Sequence, residues 1–272
     1  MTRVWPRLDA EAAVRDLLGD QAALAALLPD IAAQDRARLA SAGDGWTLAD
    51  LPLLDEARVL IDGPPEVGVG HVVVDEAQQL TEMQWRAVFR RCASRSLTVV
   101  GDLAQAGPVS TVRSWAEALS PFVGERFAHH RLTVNYRTTA EILEATVALL
   151  AQIAPEQAVS TSIRHGEAPS SVETAEAGLA GRLRELLTEV TVAHPGELIG
   201  VIAAADRCRS LAWVGEVGGT VLVAAPDARG LEFDTVVIVD PEGIAAAGEA
   251  GLRDLYVAQT RPTQRLVMLT VR

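Results

Sequence analysis

His71-Val72-Val73-Val74-Asp75-Glu76-Ala77-Gln78 decides how this chain is read. The valine run follows Gly70 and ends in carboxylates, the composition of a short buried strand. Two adjacent carboxylates at the carboxyl end of a strand suit an α/β site that hydrolyses a nucleotide. One holds a divalent cation and the other polarises the attacking water. On that reading Asp75 is the magnesium ligand, Glu76 the catalytic base and Gln78 a sensor of the terminal phosphate. The plainer reading is a helix start, because acidic residues favour the positive end of the helix dipole.

The 24 basic residues are all arginine, so the chain contains no lysine. A phosphate-cradling loop requires a lysine after its glycines. Half of an ATPase site is therefore written here and the other half is missing.

Outward from residue 70, short β-branched runs alternate with amphipathic stretches. Strands are expected over 71–75, 97–101, 131–134, 198–203, 220–224, 235–240 and 265–271. Helices are expected near 82–91, 111–119, 139–151, 174–190, 206–213 and 249–259. Such alternation predicts an α/β fold of parallel βαβ units. The first two strands belong to one sheet whose other strands are absent, and the last five complete a second, with a boundary near 121–130. Residues 1–62 read as helical: Asp9 opens one segment, Gly43 and Gly45 end another, and Thr47 with Asp50 forms a capping box for a helix over 48–61. Gly63-Pro64-Pro65 then breaks the chain.

Composition narrows the class. At 272 residues, with 49% hydrophobic and 22% charged residues, the chain is ordinary for a globular protein of one or two domains. No apolar stretch approaches the ~20 residues that span a bilayer, and the first residues lack the apolar core of a secretory signal. Cys92 and Cys208 lie far apart and read as reduced packing residues, which together place the protein in the cytoplasm. The net charge of −12 argues against a surface field that recruits nucleic acid. Arg86, Arg90, Arg91 and Arg95 form the nearest candidate for a basic groove, against the plainer reading of a solvated helix face. An acidic chain also suits a basic protein partner.

Four further segments carry chemistry. Gly101-Asp102-Leu103-Ala104-Gln105 ends the second strand, where Gln105 reaches a phosphate or bound water from a neighbouring strand end. Leu132-Thr133-Val134-Asn135-Tyr136-Arg137 leads into a helix; Tyr136 offers a purine stack and Arg137 a bidentate phosphate contact. The alternative there is a buried tyrosine with Arg137 paired to Glu141. Arg229-Gly230-Leu231-Glu232-Phe233-Asp234 lies between two strands. Leu255-Tyr256-Val257-Ala258-Gln259-Thr260-Arg261 ends the last helix, where Arg261 is a second triphosphate contact or a charge that offsets the helix dipole.

In this order the five segments resemble the conserved motifs of UvrD/Rep-like superfamily-one helicases, over residues 71–272. The resemblance implies RecA-like, P-loop NTPase-type domains, the first incomplete and the second largely complete. It implies ATP and magnesium as cofactors once the missing N-terminal motor segment is supplied. It assigns Asp75 to the metal, Glu76 to base catalysis and Gln105 to coupling phosphate state to domain closure. Tyr136 takes the base-stacking position, Arg137 and Arg261 the two arginine fingers, and Glu232, after Gly230, a ribose or phosphate contact. Three runs resemble more closely the HelD-type branch, which acts on RNA polymerase: Val4-Trp5-Pro6-Arg7-Leu8, Trp46 to Glu56, and Arg95 to Asp102. That branch implies residues 1–65 as the end of an inserted arm, 66–124 as the remainder of the first motor domain and 125–272 as the second. Nucleic acid is a partner of the full motor, and no membrane is involved.

The chain departs from the pattern in several places. The phosphate loop, the adenine-reading segment and the first DNA-contacting motif are absent. Arg229 stands where the family has lysine, Ala224 and Pro226 where it has Thr and His, and Gln259 and Pro262 flank Arg261 in place of apolar and small residues. The expectation is a motor portion without autonomous ATP hydrolysis. The other reading is a non-catalytic module that keeps the motor fold and docks on RNA polymerase. The strand edges near 71–75 and 97–101 are expected to be open and prone to association.

Overall fold

The computed structural model describes residues 8–40, 45–64, 68–110 and 112–272. Readings that rest on Val4 to Arg7, Gly43 and Pro65 lie outside the described residues. The chain forms two compact units: Met1–Asp75, Leu80–Val100 and Ser114–Arg126 make the first, and Glu76–Gln79, Gly101–Arg113 and Phe127–Arg272 the second.

The first unit begins with helices α1 (Ala10–Gly19), α2 (Gln21–Leu27), α3 (Ala33–Ala40) and α4 (Leu51–Asp62). Asp9 caps α1 by accepting from the Ala12 N–H, and Asp20 caps α2 by accepting from Ala22 and Ala23. The capping box expected at Thr47 does not form. Instead the Asp50 carboxylate accepts from both the N–H and the hydroxyl of Thr47, closing a turn just ahead of α4.

Next come β1 (Val72–Val74), α5 (Glu82–Arg91), β2 (Leu97–Val99) and α6 (Trp115–Val123). β1 and β2 pair in parallel with Val73 opposite Thr98. Helix α5 starts with a reciprocal capping box between Thr81 and Gln84 and buries Trp85 and Phe89, the latter stacked on Phe122 at 4.3 Å. Helix α6 starts at Trp115 rather than near 111, because the Ser114 hydroxyl accepts from the Glu117 N–H.

The basic groove is corrected by the same helices. Arg86 pairs with Glu56 at 2.6 Å, Arg91 with Asp55 at 2.6 Å, and Arg90 with both carboxylates. The Arg95 guanidinium donates to the Phe122 carbonyl. Arg86, Arg90 and Arg91 thus stitch α5 to the carboxylates of α4, and Arg95 is tied to the end of α6.

The second unit holds β3 (Val134–Asn135), α7 (Ala140–Ile153), β4 (Thr161–Ser162), β5 (Ser170–Thr174), α8 (Leu179–Ala193), β6 (Ile199–Ala203), α9 (Ala205–Cys208), β7 (Thr220–Ala224), β8 (Phe233–Val239), α10 (Pro241–Ala245), α11 (Glu249–Gln259) and β9 (Pro262–Val271). Its main sheet has the order β5-β9-β8-β6-β7, and every pairing in it is parallel. The α/β class with parallel sheets is thus as the sequence predicts.

Period-two alternation explains the layers. Val201, Val237 and Leu269 point to one face and pack on Leu183 and Leu187 of α8. Ile202, Val236, Ile238 and Leu266 point to the other and pack on Ile142 of α7 and Val257 of α11. Strands covered on both faces read as unbroken apolar runs, which is why β6 and β8 are plain in the sequence.

Two expectations fail here. The run at 131–134 does not join this sheet; only Val134 and Asn135 are extended, paired in parallel with β4. Its place is taken by Ser170–Thr174, five polar-rich residues on the sheet edge beside β9. That recruitment moves the start of α8 from 174 to Leu179, after a 3-10 turn over Glu176–Gly178. The helix expected over 206–213 is split into α9 and a 3-10 turn over Ala212–Glu216.

Candidate functional site

β1 delivers Asp75 at the end of the first unit, where it is exposed. The chain then turns through Glu76, whose φ of +50° lies in the left-handed region that a side chain with a Cβ seldom adopts. Ala77–Gln79 form one 3-10 turn, which buries Gln78 to 1% exposure. Every other site residue lies in the second unit.

Within that unit a continuous chain of hydrogen bonds starts at Glu76. Gln78 Nε2 donates to Glu76 Oε2 at 2.5 Å, and the Asp102 N–H donates to Gln78 Oε1 at 3.0 Å. Gln105 Nε2 donates to Asp102 Oδ2 at 2.8 Å, and Arg261 Nη2 donates to Gln105 Oε1 at 2.9 Å. The amide orientations follow from chemistry, since arginine only donates and an ionised carboxylate only accepts. Gln78 therefore ties the Glu76 carboxylate to the loop that carries Gln105, with both of its polar ends engaged.

That loop is held by residues outside the motifs. Gln79 Nε2 donates to the Gln105 carbonyl at 3.0 Å while its Oε1 accepts from the Gly107 N–H. Arg229 donates to the carbonyls of Gln105 (3.0 Å), Ala106 (3.2 Å) and Pro226 (3.0 Å). Its Nη2 also lies 2.7 Å from Asp254 Oδ1, at an angle outside that of a hydrogen bond but within an ion pair. Arg253 Nη1 donates to the Leu103 carbonyl at 3.0 Å, and Gln157 Nε2 donates to Asp102 Oδ1 at 2.8 Å.

Asn135 Oδ1 accepts from the N–H groups of Arg137 and Thr138, a side-chain turn that fixes the start of α7 and leaves Tyr136 70% exposed. The buried-tyrosine alternative is thereby excluded. Arg137 pairs with Glu232 at 3.0 Å rather than with Glu141, which accepts instead from His165 and the Gly166 N–H. Gly230 precedes Glu232 with φ +73°, a conformation its missing Cβ makes cheap.

Arg261 is the most unusual group. Only 3% exposed, it donates through Nε to the Val257 carbonyl, through Nη1 to Leu231 and through Nη2 to Gln105 and the Thr260 hydroxyl. Among the described residues no carboxylate forms an ion pair with it. Burial lowers its pKa from the usual arginine value, and the nearby Arg137 lowers it further. It therefore both caps α11 and faces a cleft of about 110 Å³ lined also by Gln105, Asn135, Arg137, Thr138 and Ser160. Tyr256 lines the same cleft, its phenol raised above the ordinary value by burial first and by Asp102 second.

No group of three His, Cys, Asp or Glu side chains among the described residues is arranged to hold a metal ion. Magnesium in nucleotide sites takes one or two carboxylates together with water and substrate phosphates. Asp75 fits that role only when phosphates arrive with the ion. A chain without lysine supplies no phosphate-loop cation for a triphosphate.

Gln79, Arg253 and Gln157 were not singled out in the sequence, where they carry no signal. Asp102 and Arg229 lie in motif segments, Arg229 where the family has lysine, but their part in holding this loop was not read from them; an Asp after a strand-ending glycine readily caps a turn.

No family model and no curated protein matches this chain. Among solved structures it is similar to the C-terminal domain of a possible DNA helicase from Lactobacillus plantarum WCFS1. The identity is 21%, the match covers 50% of this chain and 88% of that one, and the TM-score is 0.39. No helix among the described residues is long and apolar enough to cross a membrane.

Proposed function

We propose that this chain is the C-terminal motor portion of an ATP-dependent superfamily-one helicase or translocase of the HelD-like kind, working on RNA polymerase. The observation that carries the reading is Arg261. A guanidinium that is almost wholly buried, with no carboxylate ion pair among the described residues, is costly, and the cost falls when an anion enters beside it. Gln105 and Arg137 line the same cleft, so a terminal phosphate there would meet two guanidiniums and a carboxamide.

Bound magnesium and ATP would supply the electrophilic phosphorus and its counter-charge. The chain's own work is to orient that phosphate and to hold the base. Gln105 passes the state of Arg261 to Asp102, and Gln78 carries it to Glu76, whose carboxylate accepts the proton of the attacking water. A chain without lysine supplies no phosphate-loop cation, so no ATP turnover is expected from it alone.

Calorimetric titration of the purified chain with magnesium and a non-hydrolysable ATP analogue tests this reading. No heat is expected, and turnover should stay below ~0.1 s⁻¹ against the ~1–10³ s⁻¹ common for enzymes. Faster turnover that disappears in Glu76→Gln would overturn the incomplete site. Failure to co-elute with core RNA polymerase would overturn the partner.

A docking module without catalysis is the second reading. It is favoured by the internal satisfaction of the site, since Glu232 already occupies Arg137 and Gln78 has no free end. Polymerase binding unchanged in Glu76→Gln, with no ATP hydrolysis by the complete protein, would select it.

A further inference from the structure

Asp102 is the branch point of the hydrogen-bonded chain, and its two oxygens do different work. Among the described residues Oδ2 accepts only from Gln105 Nε2, whereas Oδ1 accepts from the Ala104 N–H at 3.0 Å and from Gln157 Nε2 at 2.8 Å. The Ala104 bond is local to the turn and sets the carboxylate's distance from its own backbone. Gln157 comes from the connection after α7, outside every motif segment, and lines the same cleft as Gln105 and Arg261. It is the distant donor that sets the twist of the carboxylate, and through that twist the direction of Oδ2.

The direction matters because Gln105 has a forced orientation. Its Oε1 must face Arg261 and its NH₂ must face Asp102. If Oδ2 swings away, the carboxamide loses the contact that keeps Oε1 on the guanidinium. Gln157 is half-buried within an otherwise exposed stretch, with Pro155, Glu156, Ala158 and Val159 around it exposed.

We propose that Gln157 is a positioning residue, which acts through the Asp102 carboxylate to hold the Gln105 carboxamide against Arg261. This role deepens the motor reading, since the Gln105–Arg261 contact is where that reading places phosphate sensing. The geometry of the contact, however, can be followed without nucleotide.

The test is hydrogen exchange of the Gln105 carboxamide and the Arg261 Nη2 hydrogens, which face it, followed by NMR on the whole chain and assigned through Gln105→Glu and Arg261→Lys. Gln157→Ala should speed both exchanges roughly two- to tenfold, the effect of one lost hydrogen bond. Gln157→Glu, nearly identical in shape, should speed them more, because it sets a second carboxylate against Asp102. Backbone amides of Val236 to Ile238 in the sheet core should keep their wild-type rates in both variants.

A purely space-filling Gln157 predicts the opposite order, with Glu close to wild type and Ala worse. That order would overturn the proposal. So would exchange at Gln105 and Arg261 that never departs from the rate of the core amides. Because no ATP enters the experiment, its failure leaves the motor reading to its own test, and failure of that reading leaves this geometry standing.

Discussion

Replacing Asp254 by Asn should be among the most damaging single substitutions in the second unit. The side chains of Asp254 and Arg229 are 10% and 13% exposed and 2.7 Å apart. Removing one member of a buried pair commonly costs about 3–5 kcal/mol, because the other charge is left behind. Here Arg229 keeps three carbonyl acceptors, on Gln105, Ala106 and Pro226, so the cost should fall to about 2–4 kcal/mol. For a unit of this size about 1 kcal/mol moves Tm by ~2–4 °C, which places the drop at roughly 4–16 °C.

Thermal unfolding followed by far-UV circular dichroism, together with urea titration, would measure it. Arg229→Lys should cost a comparable amount, since a single ammonium cannot satisfy four acceptors spread around a planar fork. The double variant Arg229→Met with Asp254→Leu should recover only part of the loss, because the paired charges go together but the carbonyls of Gln105, Ala106 and Pro226 lose their donor. A Tm within 2 °C of wild type for Asp254→Asn would refute this account of the clamp. Strict additivity in the Arg229–Asp254 double-mutant cycle would refute it independently.

Three further outcomes are expected. Gln78→Leu should lower stability by about 1–3 kcal/mol in urea unfolding, because it removes the acceptor of the part-buried Asp102 N–H. Gly230→Ala should cost about 1–2 kcal/mol by the same measurement, the strain of placing a Cβ at φ +73°. The Glu141 carboxyl is held below its ordinary value of 4.5 by its own N–H, then by the Gly166 N–H and His165. A depressed folded-state pKa stabilises above the unfolded value, and the stabilisation is lost as pH falls through the folded one. Melts of wild type and Glu141→Gln should therefore differ at pH 7 and converge below pH 4, and a constant difference would count against it.

The sequence reads best where burial is uniform or capping is local. Helices α5 and α11 lie where expected, α5 because Thr81 and Gln84 cap each other and α11 because its apolar face is continuous. Strands β6 and β8 are legible as apolar runs. Ser170–Thr174 is not, since an edge strand with one covered face needs few hydrophobic residues and its identity depends on β9. Arg86, Arg90 and Arg91 have the spacing of an exposed basic face, yet their partners Asp55 and Glu56 sit on another helix, and no local pattern encodes that pairing.

The site residues raise the same difficulty in sharper form. A motif assigns each side chain a partner outside the protein, whereas a folded chain satisfies its polar groups internally first. Gln78, Gln105 and Arg137 all have internal partners, and in each case the partner is itself polar and near the cleft. Such contacts are exchangeable: a phosphate entering beside Arg137 has only to displace Glu232, a half-exposed pair worth about 0.2–1 kcal/mol. Arg261 differs because its four hydrogen-bond acceptors are all neutral, so the carboxylates that favour its charge, Glu76, Glu232 and Asp102, act on it without bonding to it. The loop that bears Gln105 is held by Arg229 and Arg253 through its carbonyls, while the Gln105 side chain itself bridges Asp102 and Arg261. A loop held through its carbonyls, a carboxamide bridging Asp102 to Arg261 and a buried guanidinium with only neutral hydrogen-bond acceptors are the features on which the proposed phosphate contact rests.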